Sequence, residues 1–207
     1  MDRFEVRSSQ KSIPSSNFEP LRYNPRTDLE TLRKEAGVST DNERSDAVIA
    51  GLAEIRPSVV PMLPSSTLRR ILDWVMAQPD IRSFPVTREE EAIGIMGGLA
   101  LTETPAVLIM QDNGVGNFLT ALTTFPQAYH LPCFMLIARR GGINEYNSMI
   151  HLISERVPAI LDAANVRTFH LDATTPLDQW TRTVVKGYEF AQITHRPVAV
   201  LVNLMGG

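Results

Sequence analysis

Apolar positions fall into two rhythms along the chain, helical spacing and short unbroken runs, and the two alternate from residue 45 onward. The runs at 58–63, 81–86, 106–110, 132–138, 167–171 and 198–203 read as buried strands. The segments 46–55, 67–77, 88–101, about 117–125, 155–164 and 177–193 read as helices. In the second of these, Leu68, Ile71, Leu72 and Val75 recur at the i, i+3, i+4, i+7 positions of one helical face. Strands apolar on both faces and separated by helices predict a three-layer α/β domain, a doubly wound parallel sheet flanked by helices. Ligands of such sheets sit beyond the carboxyl ends of the strands, so the strand-to-helix turns are where chemistry is sought.

Before residue 45 the rhythm is absent. Residues 1–44 are rich in Ser, Asn, Pro, Arg and Glu, and only Leu29, Leu32 and Ala36 hint at a short helix. This stretch is expected to be a polar extension, partly disordered or laid across a partner, with one domain spanning 45–207. A net charge of −3 gives no reason to expect nucleic acid or an anionic membrane. No apolar run approaches a membrane span and the first residues lack a signal-peptide pattern, so a cytoplasmic protein is expected. A single cysteine, Cys133, excludes an internal disulfide and a cysteine-based zinc cluster; within an apolar run it reads as a core residue. The four histidines lack metal-ligand spacing, and no metal site is expected in this chain.

Three turns carry polar chemistry. In Thr87-Arg88-Glu89-Glu90-Glu91, Thr87 is the expected N-cap and Glu90, three residues on, completes a capping box. Glu91 favours the positive helix end. Glu89 is set apart because Ile93, Met96 and Ala100 continue from it along one stripe of a helix that has no charge from 92 to 101. A carboxylate at the mouth of a buried helix is partly desolvated, which suits it to hold or share a proton. Pattern alone equally allows three solvated acids at a helix start. Gly94, Gly97 and Gly98 each weaken that helix by about 1 kcal/mol relative to alanine, so another helix or subunit is expected to pack closely there.

The second turn, Gln111-Asp112-Asn113-Gly114-Val115-Gly116-Asn117, has two glycines for close backbone approach and three neutral amides that donate and accept hydrogen bonds. That chemistry suits a polar heterocycle or a carboxylate, and the Lys-Ser/Thr ending of a phosphate loop is missing. An ordinary strand-to-helix turn remains the alternative. The third is Pro64-Ser65-Ser66, where Ser66 is a helix cap or a pocket hydroxyl. Arg139-Arg140-Gly141-Gly142 adds a guanidinium at the same sheet edge, either a surface group or a partner for an anionic substrate head.

With these residues in view, the chain from about 46 to 203 resembles the pyrimidine-binding domain of thiamine-diphosphate-dependent decarboxylases. Within that group it is similar to the α subunit of sulfopyruvate decarboxylase and the corresponding half of phosphonopyruvate decarboxylase. Thr87 to Ile95 resembles the family's catalytic-glutamate helix, whose glutamate precedes a helix glycine by nine positions; this selects Glu89 with Gly98. Met110 to Asn117 is similar to the strand-and-turn signature, Arg140-Gly141 to an Arg-Gly step, and Pro64-Ser65-Ser66 to the loop whose serine holds the substrate carboxylate. The stretch 144–153 departs from the family's pattern, which leaves the substrate open.

The resemblance implies Glu89 as catalytic residue, with Glu89, Gln111, Asn113, Gly114, Gly116 and Asn117 toward the cofactor. It implies Ser65, Ser66, Gln111 and Arg140 toward the substrate. The implied cofactors are thiamine diphosphate and Mg²⁺. The family's Gly-Asp-Gly motif, which holds the metal and diphosphate, does not occur in these 207 residues. A β subunit carrying that motif is therefore expected, along with self-association across the glycine-rich helix. The implied reaction is decarboxylation of a 2-keto acid such as sulfopyruvate or phosphonopyruvate to an aldehyde. A carboligase subunit and a non-catalytic scaffold of the same fold are the alternatives.

Overall fold

A computed structural model describes residues 40–142 and 145–205. Its strands are β1 (Val59–Met62), β2 (Arg82–Pro85), β3 (Leu108–Gln111), β4 (Cys133–Ala138), β5 (Arg167–Leu171) and β6 (Pro197–Val202). The helices are α1 (Asp41–Ile55), α2 (Arg69–Ala77), α3 (Glu89–Leu101), α4 (Val115–Thr124), α5 (Ser148–Ala163) and α6 (Leu177–Thr194). All strand pairs are parallel, in the order β2-β1-β3-β4-β6-β5. The expected doubly wound sheet is what the chain forms.

The apolar runs are continuous because both faces of the sheet are covered. In β4, Phe134, Leu136 and Ala138 meet one core, with Val48 and Leu52 of α1, Ile71 and Val75 of α2, and Trp180 and Val184 of α6. Cys133, Met135 and Ile137 meet the other, with Ile93 and Met96 of α3, Phe118 and Leu122 of α4, and Val157 and Leu161 of α5. Connections running one way across the sheet place their helix on one face, and those running back place it on the other, as a constant crossover hand requires. The direction reverses between β1 and β3. At this switch point the carboxyl ends of two neighbouring strands diverge and leave a crevice.

Two helices begin earlier than the apolar pattern suggests. α1 starts at Asp41, not 46, because a capping box closes ahead of its apolar stripe. Glu43 N–H donates to Thr40 Oγ1 (3.2 Å), and Thr40 N–H donates to Glu43 Oε2 (2.7 Å). Its first turn thus falls inside the segment read as an extension, and Arg44 there is buried, donating to Leu204 O at 3.1 Å. The short helix suggested by Leu29, Leu32 and Ala36 lies outside the described residues. α5 starts at Ser148, not 155, capped by Asn147 Oδ1, which accepts from Met149 N–H at 3.1 Å. Its first turns expose Met149 and Leu152 and so hide the amphipathic period. α1 and α6 touch most closely at Gly51, where a Cβ would lie 2.9 Å from Val184 Cβ. Among the described residues no helix is long and apolar enough to cross a membrane.

Candidate active site

Three acids open α3, and the structure gives each a different occupation. The N-cap is Arg88, in extended backbone, and not Thr87. The reciprocal cap comes from Glu91 at the third helical position, not Glu90: its Oε2 accepts from Thr87 N–H (3.2 Å) and Arg88 N–H (3.3 Å). Glu90 pairs with the Arg88 guanidinium at 2.6 Å, which together with backbone hydrogen bonding holds its carboxyl below the usual range. The one-residue shift follows from the extended Arg88 backbone, which delays the first helical residue to Glu89.

Glu89 turns toward α4. Its Oε2 accepts from Asn117 Nδ2 at 2.9 Å, and its carboxylate lies directly on Gly114. A Cβ at residue 114 would overlap the Glu89 carboxylate carbon and Oε1, so only glycine leaves this seat. Oε1 accepts no hydrogen bond from the described residues. Glu89 is half-buried, Asn117 exposed and Gly114 buried. The helix behind them presents Ile93, Met96 and Gly97 to the core, while Gly94 and Gly98 have no atom within 4 Å of a would-be Cβ and form an open, uncharged face.

At the switch point, Ser65 from the loop after β1 donates through Oγ to Gln111 Oε1 at 3.2 Å, and Thr67 Oγ1 lies 3.1 Å from the same hydroxyl. Gln111 ends β3 and is followed by a 3-10 turn, Asp112–Gly114. The structure therefore brings Glu89, Gly114 and Asn117 together, and separately Ser65 with Gln111; the turn from β3 to α4 links the two groups. Asn113 and Gly116 lie exposed on that turn, and Ser66 is exposed at the start of the preceding 3-10 turn, Ser66–Leu68.

Arg140 is placed differently from the free guanidinium expected. Its Nε and Nη2 bind Glu145 Oε2 (2.6 Å) and Oε1 (3.0 Å), with both side chains buried. The fork that would grip a substrate anion is thus taken up by a carboxylate five residues along the chain. The guanidinium holds the Glu145 carboxyl well down, to about 2, and is itself raised by that partner. Arg140 N–H donates to Asp112 Oδ2 at 2.8 Å. Asp112 is fully buried, and burial pushes its carboxyl up, with the hydrogen bond from Arg140 N–H acting in the opposite direction. Sequence reasoning passed over Asp112, Glu145, Thr67 and Ser154. For Asp112 the signal was a charge just past an apolar run, after Gln111; for Glu145 there was none.

A cavity of about 750 Å³ between α1 and α2, lined in part by Tyr146, meets the candidate site only at Ser66 and Thr67. Glu89 lies outside it. Among the described residues no three His, Cys, Asp or Glu side chains are grouped to hold a metal ion.

The six-stranded, all-parallel sheet in this order, flanked by helices on both faces, is the α/β fold expected for this chain, and Glu89 lies on its glycine seat at the carboxyl edge. In fold the chain matches a 2-oxoglutarate:ferredoxin oxidoreductase from Magnetococcus marinus, with a TM-score of 0.62 at 13% identity, over 78% of this chain and 29% of that one. In sequence it is similar to sulfopyruvate decarboxylase subunit alpha of Methanococcus maripaludis, 27% identical over 161 residues, 78% of this chain and 95% of the relative. The same subunit of Methanothermobacter thermautotrophicus is 34% identical over 104 residues, half of this chain and 63% of the relative. Phosphonopyruvate decarboxylase of Streptomyces viridochromogenes is 26% identical over 129 residues, and the chain spans 32% of its length. No protein-family model matches. The chain thus resembles the sulfopyruvate decarboxylase α subunits and phosphonopyruvate decarboxylase, as its motifs implied.

Proposed function

We propose that this chain is the α subunit of a two-subunit, thiamine-diphosphate-dependent 2-keto acid decarboxylase acting on sulfopyruvate, phosphonopyruvate or a similar anionic substrate. The observation that carries this reading is the Glu89 carboxylate, fixed by Gly114 beneath it and by Asn117 on Oε2, with Oε1 left free. A carboxylate so held fits the aminopyrimidine end of the cofactor, which needs one acid at a ring nitrogen and neutral hydrogen-bonding groups around it. Gln111, Asn113, Gly114, Gly116 and Asn117 are the further residues of this chain assigned to the ring.

When bound, the cofactor supplies the electron sink that lets a 2-keto acid lose carbon dioxide. Glu89 would share a proton with the pyrimidine ring nitrogen, and Asn117 keeps that carboxylate in place through Oε2. Ser65 and Ser66 are assigned to the substrate carboxylate, with Gln111 aligned by Ser65. Arg140, engaged by Glu145, is assigned to holding the loop after β4 and not to the sulfonate or phosphonate head.

Mg²⁺ and the diphosphate are assigned to a β subunit; the α-subunit designation of the relatives supports a partner of that kind. The open glycine face of α3 is assigned to contact with a second copy of this chain. The test is reconstitution with the diphosphate-binding partner, thiamine diphosphate and Mg²⁺. Release of carbon dioxide and an aldehyde from sulfopyruvate or phosphonopyruvate is the expected result. An assembled complex that binds thiamine diphosphate but releases carbon dioxide from neither, nor from pyruvate, would overturn the proposal.

A further inference from the structure

Among the described residues, Asp112 is a fully buried carboxylate at the carboxyl edge of the sheet, two residues from the Gly114 seat of Glu89. It opens the 3-10 turn that ends at Gly114, and Asn117 lies in the first turn of the helix that follows. Its Oδ2 accepts Arg140 N–H at 2.8 Å, while its buried Oδ1, like the buried Ser154 hydroxyl, has no hydrogen-bond partner among the described residues. A buried acid with an unsatisfied oxygen is costly, so a turn needing only backbone closure would do better with a neutral residue.

The anchor behind it is a chain of short hydrogen bonds. Arg140 cannot shift without breaking both hydrogen bonds to Glu145, and Glu145 Oε1 accepts Asn147 N–H at 2.8 Å as well. The ion pair therefore fixes the residue 140 backbone, that N–H fixes Asp112, and Asp112 fixes the turn on which Glu89 rests.

We propose that Asp112 is a positioning residue for Glu89, locking the Gly114 seat to the loop after β4 through Arg140; this rests on the reading of Glu89 as the catalytic acid. The loss of an anchor is read first in the chain alone. In D112A, hydrogen exchange across residues 113–117, read at the Val115 amide that donates to Asp112 O, accelerates about tenfold or more, while α6 keeps its protection. In D112N, whose side-chain oxygen still accepts the Arg140 N–H, protection returns. In the reconstituted complex, D112A lowers kcat by about tenfold or more and moves KM for the keto acid less than about threefold, and D112N restores most of kcat. Should D112A fail to fold, R140M/E145M replaces the ion pair with apolar side chains, keeps Asp112, and is expected to speed exchange at 113–117 in the same way.

Wild-type exchange at 113–117 in a folded D112A or in the double variant overturns the proposal. So does a D112A complex with unchanged kcat. If the wild-type complex itself fails to decarboxylate, the functional reading falls, and the exchange measurement alone decides whether Asp112 anchors the turn.

Discussion

Replacing Arg140 with methionine removes the counter-ion of a buried carboxylate and leaves Glu145 with backbone partners alone. The depression of the Glu145 carboxyl from 4.5 to about 2 is caused first by the hydrogen bonds from Arg140. At about 1.4 kcal/mol per pKa unit the whole depression corresponds to about 3 kcal/mol at pH 7, with Arg140 its largest cause beside the Asn147 and Gly141 N–H groups, and breaking a buried pair costs about 3–5 kcal/mol. The sign follows from the direction: a folded-state pKa below the unfolded one contributes stability above pH 4.5, which drains away as pH falls toward 2. By about pH 3 only about 1 kcal/mol of it remains. Urea unfolding followed by far-ultraviolet circular dichroism should therefore place Arg140→Met about 3 kcal/mol below wild type at pH 7, and the gap should narrow in acid. The double replacement Arg140→Met with Glu145→Met should recover most of the loss, because no charge is left buried. A single variant within about 0.5 kcal/mol of wild type at pH 7, or a gap that does not change with pH, would refute the reasoning.

Three further outcomes follow from the site. Gly114→Ala has permitted backbone angles, but its methyl occupies the Glu89 seat; decarboxylation in the complex should fall by about 100-fold or more with the fold intact, and retained turnover would contradict the seat. Glu91→Ala should cost about 0.5–2 kcal/mol through the lost cap, whereas Thr87→Ala should be nearly silent; thermal melts of the two variants distinguish this from the capping box read in the sequence. Gly94→Ala meets no neighbouring atom, so in the isolated chain it should stabilise α3 by about 1 kcal/mol. Sedimentation should nonetheless show weaker self-association, and unchanged association would remove that face from the interface.

The sheet was legible because burial on both sides makes the inner strands mostly apolar runs, as Phe134 and Met135 show by serving opposite cores, whereas the edge strands β2 and β5 carry the exposed Arg82 and Arg167. The starts of α1 and α5 were not, since they depend on single capping residues, Thr40 and Asn147, that look like loop chemistry from the sequence. Glu89 could be singled out by the stripe running from it, and Gly114 and Asn117 by the turn they share. Which neighbour caps the helix could not, because the extended Arg88 backbone moves the register by one residue. Arg140 looked like a free cation because Glu145 is paired with it through a loop that periodicity does not describe. Asp112 was hidden among three amides, and only its burial and the Arg140 N–H distinguish it.

The most direct test of the account is Glu89→Gln in the complex reconstituted with the diphosphate-binding partner. The substituted amide fits the same seat on Gly114 but cannot hold a proton as a carboxyl does. Turnover of the keto acid should drop by at least about 100-fold, as loss of a general acid–base group does, while subunit assembly by sedimentation stays unchanged. Turnover close to wild type in an assembled Glu89→Gln complex would contradict the claim that this carboxylate is the catalytic one.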